Sequence, residues 1–216
     1  MRISQNIKAI LFDHDDTLVG TRVAKIACHK HVAKTFYGKE LTDEEILPHY
    51  GKPLTELVCL LYGTDDVEDA LAKNYSARND FPKVLFEDTI PTLKHLYSQK
   101  KLLGVITATV RRNFEHDLDS LGIPKELFAY IQTAEDTHYH KPDPRVFEGT
   151  IKWLEEKRIK PNEVLYVADG LHDMKAAIGA GFNFIGVETG LTTKAQFLEN
   201  KVTSVPTIKG LIESIL

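Results

Sequence analysis

The chain has 216 residues, 43% hydrophobic and 27% charged, with a formal net charge of −4, enough for one full domain plus a small second unit. The mild acidity excludes the basic footprint of a nucleic-acid binder or of a partner for anionic membranes, and no apolar stretch approaches the roughly 20 residues needed to cross a bilayer. Two cysteines, Cys28 and Cys59, both in helical pattern, fit a reducing compartment better than a disulfide framework; with a first strand close behind Met1 and no room for a signal peptide, the expectation is a cytoplasmic protein.

Residues 8–19 read KAILFDHDDTLV. The short apolar run from Ala9 to Phe12 predicts a strand buried on both faces, and it stops at Asp13, Asp15 and Asp16. A helical pattern follows over Val23–Tyr37, with Gly38 as its stop. Thr42 to Glu45 has the spacing of a capping box and opens a short helix toward Tyr50. Leu54, Leu57, Val58 and Leu61 mark one face of a third helix ending at Gly63, and Asp65–Asn79 reads as a fourth, weaker one. Residues 20–86 are therefore expected to form a helical unit without a strand.

Beyond it, strands alternate with helices. Thr92–Gln99 is helical, and Leu102–Ile106 is a strand ending at Thr107. A helix over Arg111–Leu121 closes at Gly122, a strand spans Tyr130–Thr133, and a helix spans Pro144–Lys157. Val164–Ala168 is a strand ending at Asp169; a helix through Ala176–Ala180 is stopped by Gly181; Phe182–Val187 is a further strand. The tail, Thr192–Leu216, reads as two helices around a short strand near Val202. The alternation predicts an α/β fold with a Rossmann-like parallel sheet over residues 1–19 and 87–216, interrupted by 20–86.

Three predicted strands end in reactive side chains, Asp13, Thr107 and Asp169, and Lys141 lies in the loop HKPDP. In open parallel sheets, ligands sit outside the carboxyl ends of the strands. Carboxylates gathered there repel one another unless a cation sits between them. The set suits a phosphate on magnesium, which takes few carboxylates, several waters and the substrate's own oxygens. A carboxylate can act as nucleophile, dividing hydrolysis into two easier steps. Asp15 is placed to protonate the leaving oxygen and then to activate water, while Thr107 and Lys141 suit the remaining phosphoryl oxygens.

FDHDDTL, VITAT, HKPDPRVF and VADGLHD together resemble the four motifs of the haloacid-dehalogenase-like (HAD) superfamily, in their usual order and over essentially the whole chain. The subgroup that the chain looks most like carries a helical cap between the first strand and the second motif, as in phosphoglycolate phosphatase and β-phosphoglucomutase. The resemblance implies roles for each matching residue. Asp13 is the nucleophile and a magnesium ligand, and Asp15 is the general acid/base with its backbone carbonyl on the metal. Thr107 and the backbone N–H of Ala108 hold the phosphoryl group beside Lys141. Asp169 ligates magnesium and Asp173 supports the metal shell; four residues apart, the two would share a face of a helical start.

Four positions depart from the family's commonest pattern: Asp16 and Ala168 replace glycines, Gly20 replaces an aspartate, and Ala108 replaces an asparagine. None removes a catalytic side chain, and Asp15 favours phosphoryl transfer over dehalogenation. In capped relatives the loop matching Gly51–Lys52–Pro53 faces the active site, which makes Lys52 and Arg22 candidate substrate contacts. The expected activity is a magnesium-dependent phosphatase for a small phosphorylated metabolite, working as a monomer or small homo-oligomer. A sugar phosphomutase and an idle binding member of the family are the alternatives.

Overall fold

The structure is a computed structural model that describes residues 6–50 and 52–215; Gly51 and Leu216 therefore lie outside the described residues. The chain divides into two compact units, Met1–Gly20 with Leu85–Leu216, and Thr21–Val84.

In chain order, β1 (Ala9–Phe12) and β2 (Val19–Gly20) come first. The helices α1 (Arg22–Tyr37), α2 (Asp43–Ile46), α3 (Leu54–Tyr62) and α4 (Val67–Ala77) follow. Next come β3 (Val84–Leu85), α5 (Thr89–Ser98), β4 (Leu102–Ile106), α6 (Arg111–Ser120), β5 (Phe128–Gln132) and α7 (Glu148–Glu156). The remainder is β6 (Val164–Ala168), α8 (Leu171–Gly179), β7 (Asn183–Val187), α9 (Lys194–Glu199), β8 (Ser204–Val205) and α10 (Leu211–Ile215).

Six strands form one sheet in the order β5-β4-β1-β6-β7-β8, every pair parallel. Successive side chains point to opposite faces, so each strand feeds two cores. Ile10, Phe12, Val105, Leu165 and Val167 pack on one face with Phe114 and Leu118 of α6. Leu11, Ile106, Tyr166 and Ala168 pack on the other with Phe147, Leu154 and Met174. This double burial is why the strands read as continuous apolar runs. The doubly wound order puts β1 between β4 and β6, which brings the ends of three strands distant in sequence side by side.

Thr21–Val84 has a core of its own, including Val32, Ile46, Val58, Leu61 and Ala70. The capping box at α2 forms as the spacing predicts: Thr42 N–H donates to Glu45 Oε2 at 2.8 Å, and Glu45 N–H donates to Thr42 Oγ1 at 3.3 Å. Polar groups inside this core satisfy one another. Asn74 Nδ2 donates to Tyr62 Oη at 2.8 Å, and His29 Nδ1 lies 2.9 Å from the same hydroxyl. Burial pulls the His29 pKa down to about 4 and keeps the ring neutral.

Four sequence expectations change. Residues 20–86 do contain strand, because Val84–Leu85 pairs with Val19–Gly20 in a separate two-stranded sheet; two residues are too few for a periodicity to reveal. The segment Pro144–Lys157 opens as a 3-10 turn over Pro144–Phe147 before α7 begins. β5 starts at Phe128, two residues ahead of the expected Tyr130. α5 starts at Thr89, three residues ahead of the expected Thr92, while the short strand expected near Val202 is Ser204–Val205.

Candidate active site

Strand register sets the first three side chains. Phe12 pairs with Val105 of β4 and with Val167 of β6, so Asp13 stands level with Ile106 and Ala168. The Asp13 N–H extends the ladder to Val167 O at 2.9 Å, and the Thr107 N–H does the same to Gln132 O at 2.9 Å. Asp13, Thr107 and Asp169 are thus the first residues past three adjacent strands.

Lys141, from the loop between β5 and α7, ties two of these ends together. Its Nζ lies 2.7 Å from Asp13 Oδ1, 2.5 Å from Asp173 Oδ1 and 3.2 Å from Ile106 O, and stands over the Tyr166 ring, 5.2 Å from its centre. An ammonium has three N–H donors, and here three protein acceptors take them. The Lys141, Asp13 and Asp173 side chains are only 12–13% exposed. Burial works against the lysine charge, but Asp13 and Asp173 outweigh it and hold the ammonium well above the usual lysine range.

The acids feel the opposite imbalance. Burial pushes the Asp13 pKa up to about 6; Lys141 pulls it down, while Asp173 and Asp15 push it further up. Asp169 is also raised well above the carboxylate range, first by burial and then by Asp13, Asp173 and Asp16. Within this set one lysine faces several carboxylates.

Asp15 is half-buried, and its Oδ2 accepts a hydrogen bond from Thr109 Oγ1 at 2.9 Å. Thr109 N–H in turn donates to Thr107 Oγ1 at 3.0 Å, so the loop after β4 closes on itself and holds the acid. Ala108, between them, is exposed. Asp16 occupies the left-handed region at φ 55°, donates its N–H to Val19 O at 2.7 Å, and accepts from Thr189 Oγ1 at its carbonyl. Glycine adopts that φ freely, and aspartate is among the few other residues that adopt it at modest cost.

Asp169 precedes α8, so it does not share a helical face with Asp173, which lies in the first turn of that helix. Thr17 braces Asp169: the Asp169 N–H donates to Thr17 Oγ1 at 3.2 Å, and that hydroxyl leans on Asp169 Oδ1 at 3.4 Å. Gly190 backs onto the same carboxylate so closely that any Cβ there would overlap it.

Arg22 and Lys52 both belong to the Thr21–Val84 unit; Arg22 opens α1, and the Lys52 ammonium pairs with Glu56 one helical turn on. Sequence reasoning missed Thr109, Thr17, Tyr166 and Gly190. The first two sit inside the motifs and differ from strand or turn threonines only in what they touch. Tyr166 carried a faint signal, a phenol in an otherwise apolar strand. Its hydroxyl lies 3.1 Å from Ile106 O and 3.4 Å from Asp173 Oδ1, and burial pushes its pKa up so that it stays a donor.

Among the described residues no group of three or more His, Cys, Asp or Glu side chains forms a ready metal cage. Magnesium needs no such cage, because it keeps waters and takes substrate oxygens. Asp13 and Asp169 offer hard oxygen donors whose buried, mutually repelling charges a divalent cation would relieve. The donor set fits that ion.

The sequence model of the family "Haloacid dehalogenase-like hydrolase" matches residues 10–187. Among curated proteins, the chain is 34% identical over 186 residues to "Putative pyrophosphatase PpaX" of Clostridium perfringens, covering 84% of each chain. It is 28% identical over 219 residues to pyrophosphatase PpaX of Anoxybacillus flavithermus, covering 95% of this chain and 98% of the relative. Among solved structures, "Putative haloacid dehalogenase-like hydrolase" from Bacteroides fragilis superposes with a TM-score of 0.78 at 30% identity, over 95% of this chain and 99% of that one. The parallel sheet, the strand-end acids with their lysine, and these matches together establish that the chain belongs to the haloacid dehalogenase-like hydrolases.

Proposed function

We propose that this hydrolase is a magnesium-dependent phosphatase that works through a phosphorylated Asp13. The observation that carries the reading is the seating of Asp13: a carboxylate at the end of the central strand, held by Lys141 at 2.7 Å. Asp13 attacks phosphorus through a carboxylate oxygen, the bond to the leaving oxygen breaks, and Asp15 donates a proton to that oxygen. In the second half Asp15 takes the proton back from a water that attacks the phosphorus, the bond to Asp13 breaks, and inorganic phosphate leaves. Thr109 keeps Asp15 aimed through the 2.9 Å hydrogen bond. Lys141 balances Asp13 and Asp173, and Thr107 with the Ala108 N–H receives the phosphoryl oxygens.

Magnesium, held by the Asp13 and Asp169 carboxylates and the Asp15 carbonyl with Asp173 in support, would supply charge neutralisation to the phosphoryl oxygens. The substrate is a small phosphorylated compound. The PpaX relatives are named pyrophosphatases, which puts inorganic pyrophosphate at the head of the panel, ahead of phosphoglycolate and sugar phosphates. Residues 21–84 act as the cap that chooses the leaving group, with Arg22 and Lys52 as its substrate contacts.

The test is phosphate release from that panel with magnesium and with EDTA. Magnesium-dependent release supports the reading and its best substrate names the class. Isomerisation of a sugar phosphate without net release would replace it with a mutase, and silence across the panel with an idle member of the family.

A further inference from the structure

His14 stands between the two acids, and the loop that carries them is wound on it. Its carbonyl oxygen receives three backbone N–H groups, from Thr17 at 3.3 Å, Leu18 at 3.0 Å and Val19 at 3.2 Å. Its ring is fully buried, edge-on to Phe114 of α6 with ring centres 5.0 Å apart. The Nε2 atom lies 3.0 Å from Oδ2 of Asp117, also on α6 and 7% exposed at its side chain. Nδ1 is buried with no hydrogen-bond partner among the described residues.

Packing alone does not call for this arrangement. A bare buried nitrogen costs free energy, and a leucine against Phe114 would avoid that cost. Replacing both members of a buried polar pair by apolar groups of similar shape is often near neutral for stability. What the pair does provide is a fixed bond between the loop after β1 and helix α6. α6 begins at Arg111, and only its N-cap Val110 separates it from Thr107–Thr109. One segment thus holds the acid loop twice: Thr109 grips Asp15 from the loop ahead of α6, and Asp117 grips His14 from within that helix, about two turns further along the chain.

We propose that the His14–Asp117 hydrogen bond is a positioning device that sets the Asp13–Asp15 loop against the Thr107–Thr109 loop. His14 touches neither the substrate nor the reacting atoms; it acts through its two neighbours. The catalytic part of the proposal rests on the phosphatase reading, whereas the loop-fixing part does not.

The test compares wild type, the apolar double variant His14→Leu/Asp117→Leu, and His14→Gln, whose amide still reaches Asp117 as a donor. The probes are p-nitrophenyl phosphate with magnesium and backbone amide exchange of the whole protein. The double variant is expected to fold and melt near wild type. Its kcat falls about 10- to 100-fold while KM changes little, the size expected when reacting groups lose their alignment. Exchange of the Thr17–Val19 amides rises about tenfold as their local opening becomes easier, and the β1 amides stay as they are. His14→Gln recovers most of the kcat. Wild-type kcat and loop exchange in the double variant overturn the proposal, as does a double variant that cannot fold, which would make the pair a stability element. Should wild type release no phosphate from any substrate, the phosphatase reading fails, and the exchange result alone decides the positioning.

Discussion

Thr109 donates its hydroxyl to Asp15 Oδ2 at 2.9 Å, from the loop between β4 and α6. Leaving a part-buried acceptor without its donor costs about 1–3 kcal/mol. Thr109→Val keeps the shape and removes it. If Asp15 is the general acid, as proposed, the variant should lose about 10- to 100-fold in kcat/KM on substrates with a poor leaving group, which depend most on that proton. With p-nitrophenyl phosphate, whose leaving group needs little help, the loss should be several-fold smaller. Equal losses on both would show that Thr109 does not act through Asp15.

Lys141 is the cation that Asp13 and Asp173 share. Removing one partner of a buried set leaves uncompensated charge and costs about 3–5 kcal/mol. In EDTA, Lys141→Met should therefore unfold at markedly lower denaturant concentration than wild type. Lys141→Met/Asp173→Leu, with one acid gone as well, should recover part of that loss. A single variant as stable as wild type would mean that the lysine does not hold the acids together.

Acid titration has a definite sign. Asp13 is ordinarily near 3.8 and is pushed up to about 6 here, by burial first and then by Asp173 and Asp15, against the pull of Lys141. Between those values the folded chain keeps a proton that the unfolded chain has released. The Asp13 contribution to stability therefore falls as pH rises from about 4 to about 6. Asp169 is shifted in the same direction. Added magnesium competes with those protons, so the rise in melting temperature that it produces should grow over the same interval. Differential scanning with magnesium and with EDTA reads this, and equal stabilisation at about pH 5 and about pH 7.5 would contradict it.

Gly190 leaves no room for a side chain beside Asp169. Gly190→Ala should turn that carboxylate away and weaken magnesium binding about tenfold or more by titration calorimetry, since supporting contacts at metal sites are worth about 10- to 100-fold. The melting temperature in EDTA should change much less. Unchanged magnesium affinity would remove Asp169 from the proposed ligands.

The strand ends were the most legible part of the sequence, because a run such as Ala9–Phe12 or Val164–Ala168 stops abruptly at an acid when both faces of the sheet are buried. Lys141 was visible only through the motif around it, since nothing in a loop's composition says where its ammonium reaches. Its contacts were not readable at all: three protein acceptors surround a lysine expected to bind phosphate. Asp16 looked like a departure from a glycine pattern until its left-handed backbone gave the reason. The pairing of Val84–Leu85 escaped because periodicity needs more than two residues. Thr109, Tyr166 and Gly190 act through contacts far away in sequence, which no local pattern encodes.

The most direct measurement is an acid quench of the enzyme during turnover with magnesium and its best substrate, followed by mass spectrometry of the peptide containing residues 8–19. Phosphate is expected on Asp13, present within the first turnover, chased away when substrate is exhausted, and absent from Asp13→Asn along with activity. Sustained turnover with Asp13 never labelled, or an Asp13→Asn enzyme that keeps near wild-type rate, would contradict a route through phosphorylated Asp13.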